Sequence, residues 1–282
     1  MPSATPDPSA GADRQWAFNR LNFEGRWQGT SHWYLRSAQT AGGPLAFAKP
    51  DRLIDDTCYA ITFTDADTGV WDGSGLLFAP EGRRRLPLSR RTYNQGGFCW
   101  QFAGAGGQSS LAVEAQAPRF GHEINHFHGR SRSMLVLLWD RQAADLPGPW
   151  RLSAVGAVAF RCALSAAPEP PRSTAAAEEL LALVEGWPGR EEVLEPGLWP
   201  AQDPGPQPAP PFRAAAFRAA GRCVALADRQ LFAVPEELPP GGFRLESGCL
   251  LTPRLFQQIS LRFDADQRLS RIERRRFRPA GG

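Results

Sequence analysis

The sequence predicts a mainly β protein of 282 residues that folds as two consecutive antiparallel β-barrels with short helices, the second barrel smaller than the first. Between residues 26 and 162, short segments rich in aromatic and β-branched residues alternate with Gly, Pro and Asp at hairpin spacing. Similar segments return after residue 222, beyond stretches rich in Pro and Ala. We therefore expect a disordered tail over residues 1–13, a first barrel over 14–163, a linker over 164–173 and a helix with a smaller barrel over 174–282.

The first unit is predicted to begin with a helix that Asp13 can cap and that carries Trp16, Phe18 and Leu21. About eight strands follow, a number at which a sheet can close on itself and leave room for one small ligand. Turn residues that tolerate positive φ separate them at 64–69 and 104–107. The predicted strands are Trp27–Arg36, Thr57–Thr64, Gly69–Ala79, Arg91–Phe102, Ser110–Gln116, Phe120–Phe127, Ser131–Asp140 and Trp150–Cys162.

The second unit is predicted as one helix followed by shorter strands. Ser173 or Thr174 can cap the helix, and Gly186 with Pro188 stops it. Its apolar stripe, which should lie on a barrel, consists of Ala177, Leu180, Leu181 and Val184. The predicted strands are Arg222–Leu226, Gln230–Val234, Phe243–Leu245, Phe256–Asp264 and Leu269–Arg278, of which the last two form a hairpin.

Composition excludes several classes of protein. The formal net charge is only +3, and the basic runs at 83–85 and 274–276 match no docking motif, so we expect no nucleic-acid partner. No apolar run reaches the length of about eighteen residues that a transmembrane helix needs. The five cysteines stand singly, which indicates free thiols in a reducing compartment and a cytoplasmic location. Hydrolase, phosphate-loop and dinucleotide-binding motifs are absent from the sequence.

The segment Gly25-Arg26-Trp27 joins the first helix to the first strand. Glycine permits a tight turn there, and an inward Trp27 can plug the narrow end of a barrel. Strand alternation then places Ser31 and Trp33 inside with it. Further candidates for the wall of a ligand pocket are Tyr93 and Trp100, although all these aromatic residues could equally be ordinary core.

This helix, the G-x-W segment and the strands after it resemble the opening of calycins, the lipocalin-like barrels. The stretch FNRLNFEGRWQGTSHWYL at 18–35 is similar to the start of the lipocalin-type lyases that attach bilin chromophores to phycobiliproteins. The layout of two barrels, with RFGHEINHFHGRSRSMLVLLW at 119–139, resembles an uncharacterised two-domain calycin family of cyanobacteria. That resemblance implies a ligand-binding barrel without supplying a catalytic mechanism.

Residues 122–126 read His-Glu-Ile-Asn-His, formally the H-E-x-x-H pattern of zinc proteases. That motif works on a helix, whereas Gly121 and Gly129 bracket this segment and strand-like sequence surrounds it. The structural context of a zinc protease is therefore missing, and we do not favour that interpretation.

On a strand, His122, His126 and His128 share one face, while Glu123 and Asn125 share the other. The three imidazoles could bind a metal such as zinc or iron.

We favour the alternative, in which the histidine face meets solvent and Glu123 with Asn125 points into the barrel as polar anchors. An inward carboxylate needs a partner, which Arg130 or Arg132 can supply from the start of the next strand. Such a pair could grip the pyrrole nitrogens or carboxylates of a ligand, or act as a structural lock that closes the barrel.

Three functions remain open at this stage. The leading hypothesis is a binding protein for a small apolar or amphipathic molecule, a tetrapyrrole such as a bilin, a carotenoid or a lipid. It would serve as a chromophore lyase or chaperone whose partner is a phycobiliprotein or another light-harvesting protein. A second is an isomerase or cyclase that uses Glu123 as acid and base on such a ligand. A third is an assembly factor with a side-chain-filled barrel.

Overall fold

The computed structural model describes residues 8–36, 43–76, 84–94, 96–141, 148–167, 169–200 and 205–281. In this part of the chain the protein is mainly β. A nine-stranded antiparallel sheet forms a half-barrel, a seven-stranded antiparallel sheet is open, and the helices are few and short.

The nine-stranded sheet consists of β1 (Gly25–Leu35), β2 (Arg52–Phe63), β3 (Thr68–Asp72), β4 (Arg85–Ser89), β5 (Cys99–Phe102), β6 (Ala105–Ser109), β7 (Phe120–His128), β8 (Ser131–Arg141) and β9 (Trp150–Cys162). Its strand order is β4-β3-β2-β1-β9-β8-β7-β6-β5. The first and last strands therefore pair, and the sheet has β4 and β5, which are consecutive in the chain, at its two edges.

The C-terminal part contains α2 (Ala177–Val184), β10 (Gly189–Leu194), β11 (Gln207–Ala209), α3 (Ala214–Arg218), β12 (Arg222–Ala225), β13 (Gln230–Val234), β14 (Phe243–Thr252), β15 (Leu255–Phe263) and β16 (Leu269–Phe277). The strand order is β11-β10-β16-β15-β14-β13-β12, so again the first long strand meets the last and two consecutive strands form the edges. The helix α2 buries Leu180, Leu181 and Val184 against this sheet, as its stripe predicted.

The two sheets pack face to face and share one hydrophobic core. Because side chains alternate along a strand, each sheet gives one face to this core and keeps the other for its own helix. We call the face of the nine-stranded sheet that meets the seven-stranded sheet its outer face, and the opposite face its inner face. Outer-face core residues include Phe120, Ile124, Leu135 and Val155, which meet Phe232, Leu245, Ile259 and Phe263.

The inner face carries a second aromatic cluster and is covered at one end by α1 (Pro8–Phe23). The helix begins at Pro8, before the expected cap Asp13, whose carboxylate pairs with Arg90 instead. Trp16 is buried and Leu21 is exposed. The helix is fixed by Asn22, whose side-chain amide donates to Gln101 Oε1 at 2.9 Å.

Several strand boundaries differ from the predicted ones. Ser110–Gln116 forms only an isolated bridge at Ala112; in the predicted strand Arg91–Phe102, residues 91–94 form a turn and β5 starts only at Cys99. The predicted Gly69–Ala79 ends as a strand at Asp72, and its residues 77–79 lie outside the described residues. The Gly-rich stretch at 104–107 is mostly strand β6, which pairs with β5 and β7. A side chain at Gly107 would come within 2.6 Å of the Trp100 ring, so close packing explains the glycine there.

The cysteines, the helices and the basic run at 274–276 each bear on an expectation from composition. All five cysteines are free thiols. None of the helices in the described part of the chain combines the length and the apolar character that crossing a bilayer requires. In the run 274–276, Arg274 faces the inter-sheet core and pairs with Glu192, whereas Arg275 pairs with Glu191 on the other face. The strand therefore splits this basic cluster.

Candidate functional site

One end of the inner face is closed by Trp27. Its ring is fully buried, and its Nε1 donates a hydrogen bond of 2.8 Å to the carbonyl oxygen of Phe23 at the end of α1. Gly25 lies between them with φ of +136°, a conformation that favours glycine. The guanidinium of Arg130 lies 5.0 Å from the Trp27 ring centroid. Arg130 therefore helps to close this end and makes no pair with Glu123.

Arg132 is a buried cation at the centre of the inner face. Its side chain is 2% exposed, and its guanidinium carbon lies 4.8–5.8 Å from the centroids of four aromatic rings, which stabilise the charge through cation–π contacts. Its Nε donates to Asn125 Oδ1 at 2.6 Å, and its Nη2 donates to Glu123 Oε1 at 3.0 Å. Burial lowers the pKa of Arg132. Arg132 thus holds Asn125 and Glu123 in place.

Glu123 is the accessible member of this group. Asn125 Nδ2 also donates to Oε1, at 2.9 Å, so both hydrogen bonds from the protein fall on one carboxylate oxygen. In the described part of the chain, Oε2 receives none, and the Glu123 side chain is 33% exposed. Burial raises the pKa of Glu123, and the hydrogen bond from Asn125 opposes that rise. The inner face therefore presents one free acceptor oxygen.

An apolar wall continues from Glu123 across the sheet. Glu123 pairs with Val136, Val136 with Gly156, and Gly156 with Trp33, so these four residues form one row over β7, β8, β9 and β1. A side chain at Gly156 would come within 2.7 Å of the Trp33 ring, so the indole lies over this glycine. Val136 is only partly buried. A carboxylate, an isopropyl group and an indole thus line adjacent positions.

The remaining predicted wall residues lie at different depths. Ser31 is fully buried on the inner side of β1 and shares a hydrogen bond of 3.0 Å with Thr57 Oγ1. Tyr93 lies in the turn before β5, and its hydroxyl accepts from Gln101 Nε2 at 2.8 Å. Trp100 lies on the outer face instead, where its Nε1 donates to Ser109 Oγ. The structure therefore separates Trp100 from the other candidates.

The histidine face of β7 does not meet solvent, which corrects the sequence expectation. The seven-stranded sheet covers it, and both His122 and His126 are buried. His122 stands among aromatic rings, including that of Phe263 at 5.7 Å, and burial lowers its pKa to about 3. His128, at the end of the strand, is half-buried. Within the described ranges, no group of three or more His, Cys, Asp or Glu side chains is placed to hold a metal ion.

His126 joins the two sheets. Its Nε2 lies 2.9 Å from Ser247 Oγ, and its Nδ1 lies 3.0 Å from Gln257 Nε2. Gln257 Nε2 also donates to the carbonyl oxygen of Gly104, which fixes this amide as the donor. Neutral His126 therefore carries its proton on Nε2 and donates to Ser247, the opposite of what activation of a serine nucleophile requires. The hydrogen bonds among His126, Ser247 and Gln257 therefore have a structural role, which is to join the two sheets.

Comparison with solved structures shows a fold similar to that of a protein of unknown function from the DUF3598 family of Nostoc punctiforme, a cyanobacterium. The TM-score is 0.64 at 14% identity, over 94% of this chain and 99% of that chain. A tesB protein of Mycobacterium avium is 11% identical over 78% of this chain and 95% of that chain, but with a TM-score of only 0.13. Neither a protein-family model nor a curated protein matches the chain.

Sequence reasoning missed two residues that shape the wall, Val136 and Gly156. The signal for Gly156 was available, because a glycine inside an apolar strand often marks the close approach of another group. Tyr59 was also missed: its ring packs against Arg132, 4.8 Å from the guanidinium carbon. Nothing in its sequence neighbourhood distinguishes Tyr59 from ordinary core.

Proposed function

We propose that the protein binds a small apolar or amphipathic molecule on the inner face of the half-barrel, with Glu123 as its polar anchor. The observation that carries this proposal is the environment of Glu123. The Glu123 side chain is partly exposed beside Val136 and the Trp33 ring, and one of its carboxylate oxygens receives no hydrogen bond from the described residues. Ligand sites of this kind combine an apolar lining with a few convergent polar groups.

The strand order supports a calycin-like design. In both sheets, the first and last strands pair and two consecutive strands lie at the edges, which is the order of a closed meander opened at one place. For the first sheet the opening lies between β4 and β5, and for the second between β11 and β12. We propose that both units are lipocalin-like barrels in this opened form.

The chemistry of Glu123 indicates which part of the ligand it holds. An ionised carboxylate only accepts hydrogen bonds, so the free Oε2 favours a ligand that offers an N–H or O–H group. A tetrapyrrole such as a bilin meets this need with its pyrrole N–H groups, and a hydroxylated carotenoid or lipid meets it with its O–H. Ligand carboxylates are disfavoured there. Transfer of a bilin to a phycobiliprotein or another light-harvesting partner is consistent with this ligand class.

The proposal is tested by titrating the full chain with a bilin, haem, a hydroxylated carotenoid and a fatty acid while tryptophan fluorescence and ligand absorbance are recorded. We expect the bilin or the carotenoid to quench fluorescence, because Trp33 borders the proposed pocket, and the fatty acid, whose polar end is a carboxylate, to bind weakly. Absence of any spectral change with all four ligands would refute the proposal.

Glu123→Gln sharpens this test. The glutamine oxygen can keep the two hydrogen bonds from Arg132 and Asn125, while its amide nitrogen replaces the free acceptor by a donor. A hydrogen bond to a charged group is worth about 1.5–3 kcal/mol, so we expect affinity to fall about tenfold or more without loss of fold. Glu114→Gln, which removes the same charge from an exposed position, is the matched control and should bind normally.

A second candidate function, isomerisation or cyclisation of the bound ligand, is favoured by one observation, the raised pKa of Glu123 beside an apolar wall. In that case the Glu123→Gln variant still binds some ligand but forms no product. Chromatography of the ligand after incubation with each variant distinguishes an enzyme from a carrier.

A further inference from the structure

Three arginines lie side by side on the seven-stranded sheet, on the face turned away from the inter-sheet core. Arg244 of β14 pairs with Arg262 of β15, and Arg262 pairs with Arg271 of β16. We call these three residues the arginine row. Like charges directly opposite each other on neighbouring strands are unfavourable, so a row of three needs a physical explanation.

Two buried carboxylates partly explain how three arginines can lie side by side. Glu246 follows Arg244 by two residues on β14, and Glu273 follows Arg271 by two residues on β16, so both lie on the same face as the arginine row. Each glutamate is 2% exposed. Glu273 pairs with Arg262 at 2.7 Å and with Arg271 at 2.9 Å, and Glu246 lies 3.4 Å from Arg244. Arg275 also pairs with Glu273, at 2.8 Å, and with Glu191, at 3.1 Å, so four cations meet three anions on this face. Burial also raises the pKa of Glu246, which weakens its contribution to the balance.

The guanidinium groups have more donors than these carboxylates use. Each guanidinium carries five N–H donors. The bonds of the arginine row within the described ranges involve Nε and Nη2: Arg262 Nη2 donates to Glu273 at 3.1 Å, and Arg244 Nη2 donates to the carbonyl oxygen of Ala216. The Nη1 group of each arginine in the row is left for a further acceptor.

A cleft of about 480 Å³ lies beside the row, and both Arg244 and Arg262 line it. Its apolar side includes Phe243, Pro235 and Pro239. The ring of Phe243 is half-buried and stacks on Phe263, with 4.5 Å between the ring centroids and 7° between the planes. The volume suits a small organic molecule.

We propose that this cleft is a second binding site, separate from the inner face of the half-barrel, and that it takes a small organic anion. Arg244 and Arg262 hold a carboxylate or phosphate group, since a guanidinium matches the planar geometry of these acceptors. Phe243 and the two prolines contact an aromatic or apolar body. The proposal does not depend on the function of Glu123.

Isothermal titration calorimetry of the full chain with inorganic phosphate, benzoate and phenyl phosphate tests the site. We expect phenyl phosphate to bind more tightly than inorganic phosphate, because only the former reaches Phe243. Arg262→Gln should weaken phenyl phosphate binding about tenfold or more, the usual effect of losing a hydrogen bond to a charged group. Benzoate shows whether the site accepts a carboxylate as well as a phosphate.

The controls separate a ligand site from structural charge pairing. Arg262→Gln leaves Glu273 with Arg271 and with Arg275 at 2.8 Å, so the variant should unfold at the wild-type temperature without ligand. Arg254→Gln removes the same charge from the exposed turn between β14 and β15 and should bind normally. If Arg262→Gln is unstable, Arg244→Gln replaces it, because Glu246 keeps its hydrogen bond from Gln258 at 2.8 Å.

Two results would overturn the proposal. One is no heat of binding from any of the three anions to the wild-type chain at millimolar concentration. The other is equal weakening by Arg254→Gln and Arg262→Gln, which would indicate only general attraction between anions and a basic protein.

Discussion

Asp228 lies where the two sheets meet, and its replacement should cost more stability than most single changes. Its carboxylate is fully buried and receives hydrogen bonds from Arg161 Nη2 at 2.6 Å, from Arg172 Nη1 at 3.1 Å and from Ser133 Oγ. Asp228→Asn removes the charge, which leaves the guanidinium of Arg161, 9% exposed, without its anion and that of Arg172, 11% exposed, with only the exposed Glu169 at 3.6 Å. Breaking a buried ion pair in this way costs about 3 kcal/mol or more.

The backbone at Asp228 allows the electrostatic part of this cost to be separated from conformational strain. Its φ is +60°, which asparagine and glycine tolerate better than alanine does. Asp228→Ala should therefore be about 1 kcal/mol less stable than Asp228→Gly, although both lack the carboxylate.

Unfolding in urea, followed by tryptophan fluorescence and by far-UV circular dichroism, measures these differences. Urea is preferred because guanidinium chloride would screen the ion pairs. We expect the midpoints of both signals to shift together, since the sheets share one core. A loss below about 1 kcal/mol for Asp228→Asn would show that this network contributes little to the fold, against the general cost of an unpaired buried charge.

Three further predictions concern other parts of the fold. Burial lowers the pKa of His122 and of His126 to about 3 from 6.5, so as the pH falls these histidines are protonated in the unfolded chain before they are protonated in the folded one. The free energy of unfolding should therefore fall by about 1.4 kcal/mol per pH unit for each histidine as the pH drops from 6.5 toward 3. The double variant His122→Phe and His126→Gln should show a flatter dependence of stability on acid pH. Gly25→Ala should destabilise by more than about 2 kcal/mol in thermal unfolding, because φ is +136° and the added carbon would lie 2.4 Å from a guanidinium nitrogen; an unchanged melting temperature would contradict this reasoning. A double-mutant cycle of Glu123→Ala and Arg132→Met in urea should give a coupling energy of about 1–3 kcal/mol, and additive effects would mean that the pair is not coupled.

The sequence predicted the hairpin of β7 and β8 well, and it offered Arg130 or Arg132 as the partner of Glu123, of which the structure shows Arg132. The short loop at Gly129 sets the register, and period-two alternation then decides which side chains share a face. The same pattern could not show what covers each face. The histidine face reads as solvent-exposed because His122 and His126 are polar, yet Phe120 and Ile124 share that face and belong to the core between the sheets.

Other errors have similar physical causes. The glycine-rich stretch at 104–107 has the composition of a turn, but its glycines Gly106 and Gly107 make room for the side chains of Gln101 and Trp100 within strand β6. Strand β10, with the charged sequence GREEVL, lacks an apolar alternation, since Glu191 and Glu192 pair with arginines of β16. Closure of the sheets is a property of the whole chain, and local patterns carry no information on it.

The second sheet covers the outer face of the nine-stranded sheet, and α1 covers one end of its inner face. A truncated chain that stops within 164–173 would leave Phe120, Ile124 and Trp139 facing water. Such a fragment should aggregate when expressed alone, because a contiguous apolar surface of this kind promotes association. For practical work, cloning either half separately is a poor strategy, and co-expression of the two halves as separate polypeptides should restore solubility.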